Sequence, residues 1–181
     1  MQKLEFFISP NGRIYVTEDG DGIREFTEKE ITLGEKVLEL IERQYPETKK
    51  TLDELYNRYS KNIPHYIFVR ASRFIRCNFG KFDGLSFDVD ENVLHVEEVS
   101  CPIRSECPFC GTICKPKPFG LTQKEFEVTK RMANGMTYKE ISSELNIAHS
   151  TIKNIIQKVK EKLNLKSSKD VAKLMVAVSV V

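Results

Sequence analysis

The 181-residue chain has no tryptophan and only three histidines, His65, His95 and His149. The histidines are scattered, and none is spaced to serve as the base of a nucleophile. No glycine-rich phosphate-binding loop occurs. These absences argue against an enzyme. No run approaches the roughly 18 apolar residues that a membrane helix needs. Met1 is followed by mixed, charged sequence rather than by the apolar core of a secretory signal. A cytoplasmic protein with no membrane partner is expected. Three acidic residues, Asp83, Asp88 and Asp90, form a loose group that reads as the solvated rim of a strand region rather than as a metal site.

What is present is divided unevenly. Residues 115–181 carry 13 Lys and Arg against 6 Asp and Glu, a net +7, whereas residues 1–114 carry 15 against 20, a net −5. A basic segment joined to an acidic one is the charge pattern of a nucleic-acid-binding end on a body that stays clear of phosphate. Lys115-Pro-Lys-Pro-Phe-Gly120 separates them. Its alternating prolines block helix continuation and stiffen the chain. The expected organisation is residues 1–114, a linker over 115–120, and a second domain over 121–181.

The basic end holds four helix-sized patterns in about 55 residues. Thr122-Gln-Lys-Glu125 and Thr137-Tyr-Lys-Glu140 are capping boxes, in which hydroxyl and carboxylate satisfy each other's backbone N–H groups. Gly135 stands where a left-handed cap ends the first helix. Ile141 and Leu145 face inward on the second. After a short turn, residues 150–163 predict a third helix. At 100° per residue, Ile155, Ile156, Val159 and Leu163 fall within about 60° of Ile152. Ser150, Lys153, Asn154 and Gln157 occupy the opposite face. Val171, Leu174, Met175 and Val178 mark a fourth helix over about Ser168–Val178, one stripe that completes the core and in part supplies a dimer seam.

This is the pattern of a helix-turn-helix, with double-stranded DNA as partner. Lysine donates to guanine, and asparagine or glutamine pairs with adenine, in a major groove that admits a helix. Lys153, Asn154 and Gln157 are therefore the candidate base readers. Thr137, Lys139, Ser150, Thr151, Lys158 and Lys160 suit phosphates, which set register without reading sequence.

The stretch resembles the LuxR/GerE-type DNA-binding domain. The residues that carry the resemblance are Leu121-Thr122, Glu125, Glu127-Val128, Ala133, Gly135, Lys139-Glu140-Ile141, Leu145, Ile147, Ser150-Thr151-Ile152-Lys153 and Lys162-Leu163. The resemblance covers the last third of the chain. It implies an all-α four-helix domain whose third helix enters the major groove, and homodimers formed partly through the fourth helix. Thr129 stands where the family favours leucine, and Ile155 where histidine is common.

The first 114 residues read as α+β. Leu4 to Thr17 predicts a hairpin turning at Pro10-Asn-Gly12, followed by a turn at Asp19–Gly22. Thr27–Glu30 opens a helix to about Gln44, and Thr51–Glu54 a second to about Lys61. Tyr66–Cys77, Ser86–Val89 and Val93–Val99 are strand-like, the last two joined by a turn at Asp90–Asn92. A phospho-receiver domain would alternate strand and helix, and an acyl-homoserine-lactone domain uses tryptophan in its pocket. Neither fits these residues.

Of the five cysteines, four lie within 14 residues as C-P-I-R-S-E-C-P-F-C-G-T-I-C, and Cys77 stands apart. Such crowding in a chain read as cytoplasmic points to metal more than to disulfides. A closed zinc site needs four ligands. Cys101, Cys107, Cys110 and Cys114 form the compact set, with a knuckle at Cys107-Pro-Phe-Cys110-Gly111. Cys77 replacing Cys110 is the alternative. Zinc is the expected ion, and an iron–sulfur cluster is the other thiolate centre that cysteines followed by proline can serve. The function expected is a non-enzymatic, sequence-specific transcription regulator. The rival readings are a redox sensor that gates DNA binding and an adaptor that contacts RNA polymerase.

Overall fold

In the computed structural model, which describes residues 3–19, 21–80 and 87–178, the chain divides into two units, Met1–Pro116 and Lys117–Val181. The first is an antiparallel sheet packed with helices. The second is helical throughout.

The sheet grows from the expected hairpin. Strands β1 (Leu4–Ile8) and β2 (Ile14–Glu18) pair with Phe6 opposite Val16, and Gly12 takes a positive φ of 80° in the turn. Alternation sends Leu4, Phe6, Ile14 and Val16 into the core. Strand β3 (Asp21–Glu25) adds to β2, where the sequence showed only a turn. Strands β4 (Val89–Asp90) and β5 (Val93–Leu94) add on the other side of β1, giving the order β3-β2-β1-β4-β5. Glu91 and Asn92 both have positive φ, as a two-residue hairpin loop requires. These last strands are shorter than the apolar runs that suggested them, and Ser86 lies outside the described residues.

Asp88, of the acidic group, is not part of a solvated rim. Asp88 is buried and accepts the Phe6 backbone N–H at 2.6 Å, so its carboxylate closes a gap in the sheet. Asp90 is paired with Lys3. Asp83 lies outside the described residues.

The helices correct three expectations. Helix α1 (Ile31–Gln44) starts after Glu30, which makes no side-chain cap. Thr27 instead accepts from the Lys29 N–H in a preceding turn. Helix α2 (Pro46–Tyr56) begins at Pro46, a residue suited to a first turn, and passes through Thr51, whose hydroxyl donates to the Glu47 carbonyl. A single 3-10 turn, Asn57–Tyr59, follows. Tyr66–Cys77 is no strand but most of helix α3 (Ile63–Asn78), capped by Asn62. Its β-branched and aromatic residues suggest extension, yet Ile67, Ala71, Phe74, Ile75 and Asn78 recur at helical spacing and are buried, as are Arg70 and Ser72 beside them. Gly34 lets α1 approach α3 closely, because a Cβ there would meet Ile67 Cγ2 at 2.5 Å. The core between sheet and helices includes Tyr45, Phe74 and Phe79, with Phe6 stacked on Phe79.

The second unit has helices α4 (Gln123–Ala133), α5 (Tyr138–Leu145), α6 (His149–Lys162) and α7 (Ser168–Ala177). Capping boxes at Thr122/Glu125, Thr137/Glu140 and Ser167/Asp170 open α4, α5 and α7. Left-handed residues follow three helices: Gly135 (φ 83°) after α4, Asn146 (51°) after α5 and Asn164 (53°) after α6. Each is followed by an N–H reaching back to the last turn, as from Met136 to Arg131 and from Leu165 to Lys160. One cluster joins Val128, Met132, Ile141, Ile152 and Ile156, and a second joins Leu121, Val159, Val171 and Met175. Among the described residues no helix is long and apolar enough to cross a membrane.

Candidate nucleic-acid interface

Helix α6 divides by face as its angles dictate. Ile152, Ile156 and Val159 are buried, and Ile155 and Leu163 are half-buried beside them. The opposite face is open: Ser150, Lys153, Asn154, Gln157 and Lys158 are exposed, with Thr151 and Lys160 half-buried at the margins. The three candidate base readers therefore share one solvent-facing surface near the N-terminal end, where recognition helices read bases.

Gln157 Nε2 donates to Glu161 Oε1 at 2.7 Å. An amide nitrogen carries two hydrogens. The bond to Glu161 uses one and orients the group, leaving the other hydrogen and the oxygen for the paired contact that adenine offers.

The start of α6 differs from its neighbours. Its N-cap is Ala148, with no side-chain cap, whereas α4, α5 and α7 each have a complete box. The first amides of α6 thus keep their N–H groups unused by any cap, at the positive end of the helix dipole and beside exposed Ser150. Phosphate oxygen is the acceptor such an end takes. Ala148→Asp is expected to stabilise the unit by about 1 kcal/mol through the added cap. The same change should weaken DNA binding about tenfold, because the new carboxylate meets the phosphate first. Thermal unfolding and a binding titration at fixed salt measure the two effects; undiminished DNA affinity would show that phosphate does not sit there.

Lys139 is exposed in the first turn of α5. Thr137 is otherwise engaged. Its hydroxyl contacts Glu140 Oε2 at 2.7 Å and accepts from the Glu140 N–H, so its hydrogen-bonding capacity is used in the cap. The N–H and hydroxyl of Thr137 hold the Glu140 carboxyl below its ordinary range. The α5–α6 turn is fixed by Ser142, whose hydroxyl donates to the Ile147 carbonyl at 2.6 Å. Lys162 reaches Glu125 and the Gly120 carbonyl, tying the end of α6 to the start of α4. Burial alone would raise the Glu125 pKa, but Thr122 and Lys162 outweigh it and hold it low. Arg131 pairs with Glu144 between α4 and α5. These bonds set the angle at which α6 projects.

The unit combines three helices opened by capping boxes, a three-residue turn and an open basic face on its third helix.

Residues 120–175 match GerE, the bacterial regulatory proteins of the luxR family.

No curated protein and no solved structure matches the chain. The family match places a DNA-binding domain of transcription regulators, not of enzymes, in the C-terminal third. Two residues depart from the family pattern. Within the GerE domain Thr129 is fully buried, and its hydroxyl donates within its own helix to the Glu125 and Phe126 carbonyls, so it fills a core position without an orphaned donor. Ile155 packs against both apolar clusters. The fourth helix narrows the expected dimer seam: Val171, Met175 and Val178 are buried in the domain itself. Leu174 is half-buried, and the apolar surface that α7 leaves open is Val176 and Ala177, which periodicity did not single out.

In the other unit the five cysteines are all free thiols. Cys114 is buried, Cys77, Cys101 and Cys107 are half-buried, and Cys110 is exposed. The knuckle residues form a tight turn in which the Cys110 N–H donates to the Cys107 carbonyl at 3.1 Å and Gly111 has φ 82°. Among the described residues, no group of three or more His, Cys, Asp or Glu side chains is arranged to hold a metal ion as it stands. His95 is half-buried, and burial lowers its pKa against the raising effect of Asp90. His65 pairs with Glu28, and exposed His149 lies near Tyr138 in the domain of the helix-turn-helix.

Proposed function

We propose that the chain is a sequence-specific transcription regulator that sets α6 in the major groove of DNA. The single observation behind this reading is the open face of α6: Lys153, Asn154 and Gln157 are exposed together, backed by a buried apolar stripe, within a domain of a DNA-binding family. Lys153, Asn154 and Gln157 read bases, while Ser150, Thr151, Lys158, Lys160 and Lys139 hold phosphates. Thr137 contributes by shaping the α5 N-terminus. The protein acts as a homodimer through Leu174, Val176 and Ala177 of α7, and a thiolate-bound metal stabilises the N-terminal unit.

Binding-site selection with the full chain tests this reading. The selected sequences should contain two half-sites with centres about 10 bp apart, matching one turn of DNA. Affinity should fall steeply with salt, since each phosphate contact adds about 0.9 to the slope. Retention by RNA polymerase together with DNA binding that shows no sequence preference would replace this reading with the adaptor one.

A further inference from the structure

Helix α3 brings Cys77 to the cysteine loop. Cys77, Cys101, Cys107, Cys110 and Cys114 all line one cavity of about 150 Å³, together with Arg73, Arg76 and Arg104. The juxtaposition is held by Asn78, which is fully buried. Its amide donates to the Ile113 carbonyl at 2.8 Å and its oxygen accepts the Lys115 N–H at 3.2 Å. The neighbour of Cys77 thus grips the chain on both sides of Cys114. Ile113 is buried in the main core, and Thr48 donates to the Thr112 carbonyl at 2.5 Å, so the cysteine loop is seated on the fold at that end.

The thiols are not equivalent. Cys110 is the one exposed cysteine, whereas Cys77, Cys101 and Cys107 are half-buried and Cys114 is buried.

The cations complete the chemistry. Four thiolates on Zn²⁺ sum to a charge of about 2−, and thiolate-held iron–sulfur clusters are commonly anionic too. Three guanidinium groups around five thiols suit such an anion and would be repelled by a bare cation. The Arg73 Nε is buried without a hydrogen-bond partner among the described residues, a donor facing the cost of an unmade bond. A metal-bound sulfur is an acceptor it can use.

We propose that Cys77, Cys101, Cys107 and Cys114 are the four ligands of one thiolate-bound metal centre, flanked by Arg73, Arg76 and Arg104, and that Cys110 stands outside it. This rests on the metal reading of the N-terminal unit, names its ligands, and is independent of DNA binding. A zinc ion and an iron–sulfur cluster are the two sources of this chemistry. Zinc would draw the thiolates to about 3.8 Å from each other, the edge of a tetrahedron with 2.3 Å bonds. A cluster would fill the cavity with less movement of the walls.

The full chain, prepared without oxygen, is loaded in one arm with zinc and in the other with a mixture of ferric and ferrous iron and sulfide. One centre per chain is expected: zinc in a colourless protein, or iron and acid-labile sulfide in equal amounts in a brown one. Cys77→Ser should lower loading at least tenfold, as should the same change at Cys101, Cys107 or Cys114, while Cys110→Ser loads fully. Labelling of the loaded wild-type chain with a thiol reagent avoids any dependence on how the variants fold. It should modify Cys110 alone until a chelator is added, after which the other four react. Loading lost in Cys110→Ser and kept in Cys77→Ser, or Cys77 labelled as fast as Cys110 in the loaded chain, overturns the ligand set. No tight metal in either arm overturns the metal reading itself.

Discussion

Ile156→Ala is expected to unfold much of the C-terminal unit while leaving the N-terminal unit folded. Ile156 is 2% exposed and belongs to a cluster with only four other buried side chains. Truncating a buried isoleucine to alanine costs about 2–5 kcal/mol, the larger values arising where the surroundings do not collapse into the cavity. A unit of about 65 residues has roughly 3–10 kcal/mol of stability in all. The loss is therefore of the same order as the reserve. Ile156 faces away from the open surface of α6, so lost DNA binding in this variant would come from unfolding rather than from a missing contact. Amide hydrogen exchange in the full chain resolves the two units separately. Protection in 121–178 should fall by several kcal/mol while that of β1, β2 and α1 stays put. A fall of less than about 0.5 kcal/mol in 121–178 would mean that this cluster does not hold the domain together.

Lys153→Ala and Lys158→Ala should weaken DNA binding in different ways. Both lysines are exposed on α6, on opposite shoulders of its open face, but Lys153 lies in the first turns, whereas Lys158 lies further along the helix. A lysine that donates to guanine gives about 1–3 kcal/mol of discrimination at one position. Its removal should flatten the preference there and leave the remaining positions intact. A lysine on phosphate supplies affinity for every sequence and about one unit of salt slope. Its removal should lower specific and non-specific binding by a similar factor. Binding-site selection and salt titration on the two variants separate the cases. An unchanged preference profile in Lys153→Ala would remove Lys153 from the base readers.

The helix-turn-helix was legible because its signals are local. A capping box joins residues three apart, and a buried stripe recurs within two turns. Each box in 121–175 recognised from sequence is present in the fold. The same device misled in the N-terminal half, where Thr27–Glu30 and Thr51–Glu54 have the spacing of a box without its bonds. Thr51 lies inside α2 because Pro46, five residues earlier, already starts the helix. In α3 the propensity of Val69, Phe74 and Ile75 for extension is overridden by burial of one helical face against α1. Strand β3 has a single large apolar residue, Ile23, and it is exposed. Pairing with β2 makes it a strand, and no pattern of its own marks it.

The dimer stripe shows a further limit. Val171, Met175 and Val178 have the spacing of an apolar face, but spacing does not say whether that face meets its own domain or a second copy. Burial decides it for these three residues.

Sequence alone determined the helix-turn-helix end: the capping boxes of α4 and α5, the division of α6 into buried and open faces, and the excess of positive charge that goes with them. These properties repeat within one or two helical turns, so the order of residues contains them. Tertiary structure decided where the acidic end places its cysteines. Cys77 is 24 positions from Cys101, too far for any local rule to join them. They share a cavity because α3 is a helix, because its last residues pack on the core, and because Asn78 binds the loop around Cys114. Long-range packing alone brings those groups together.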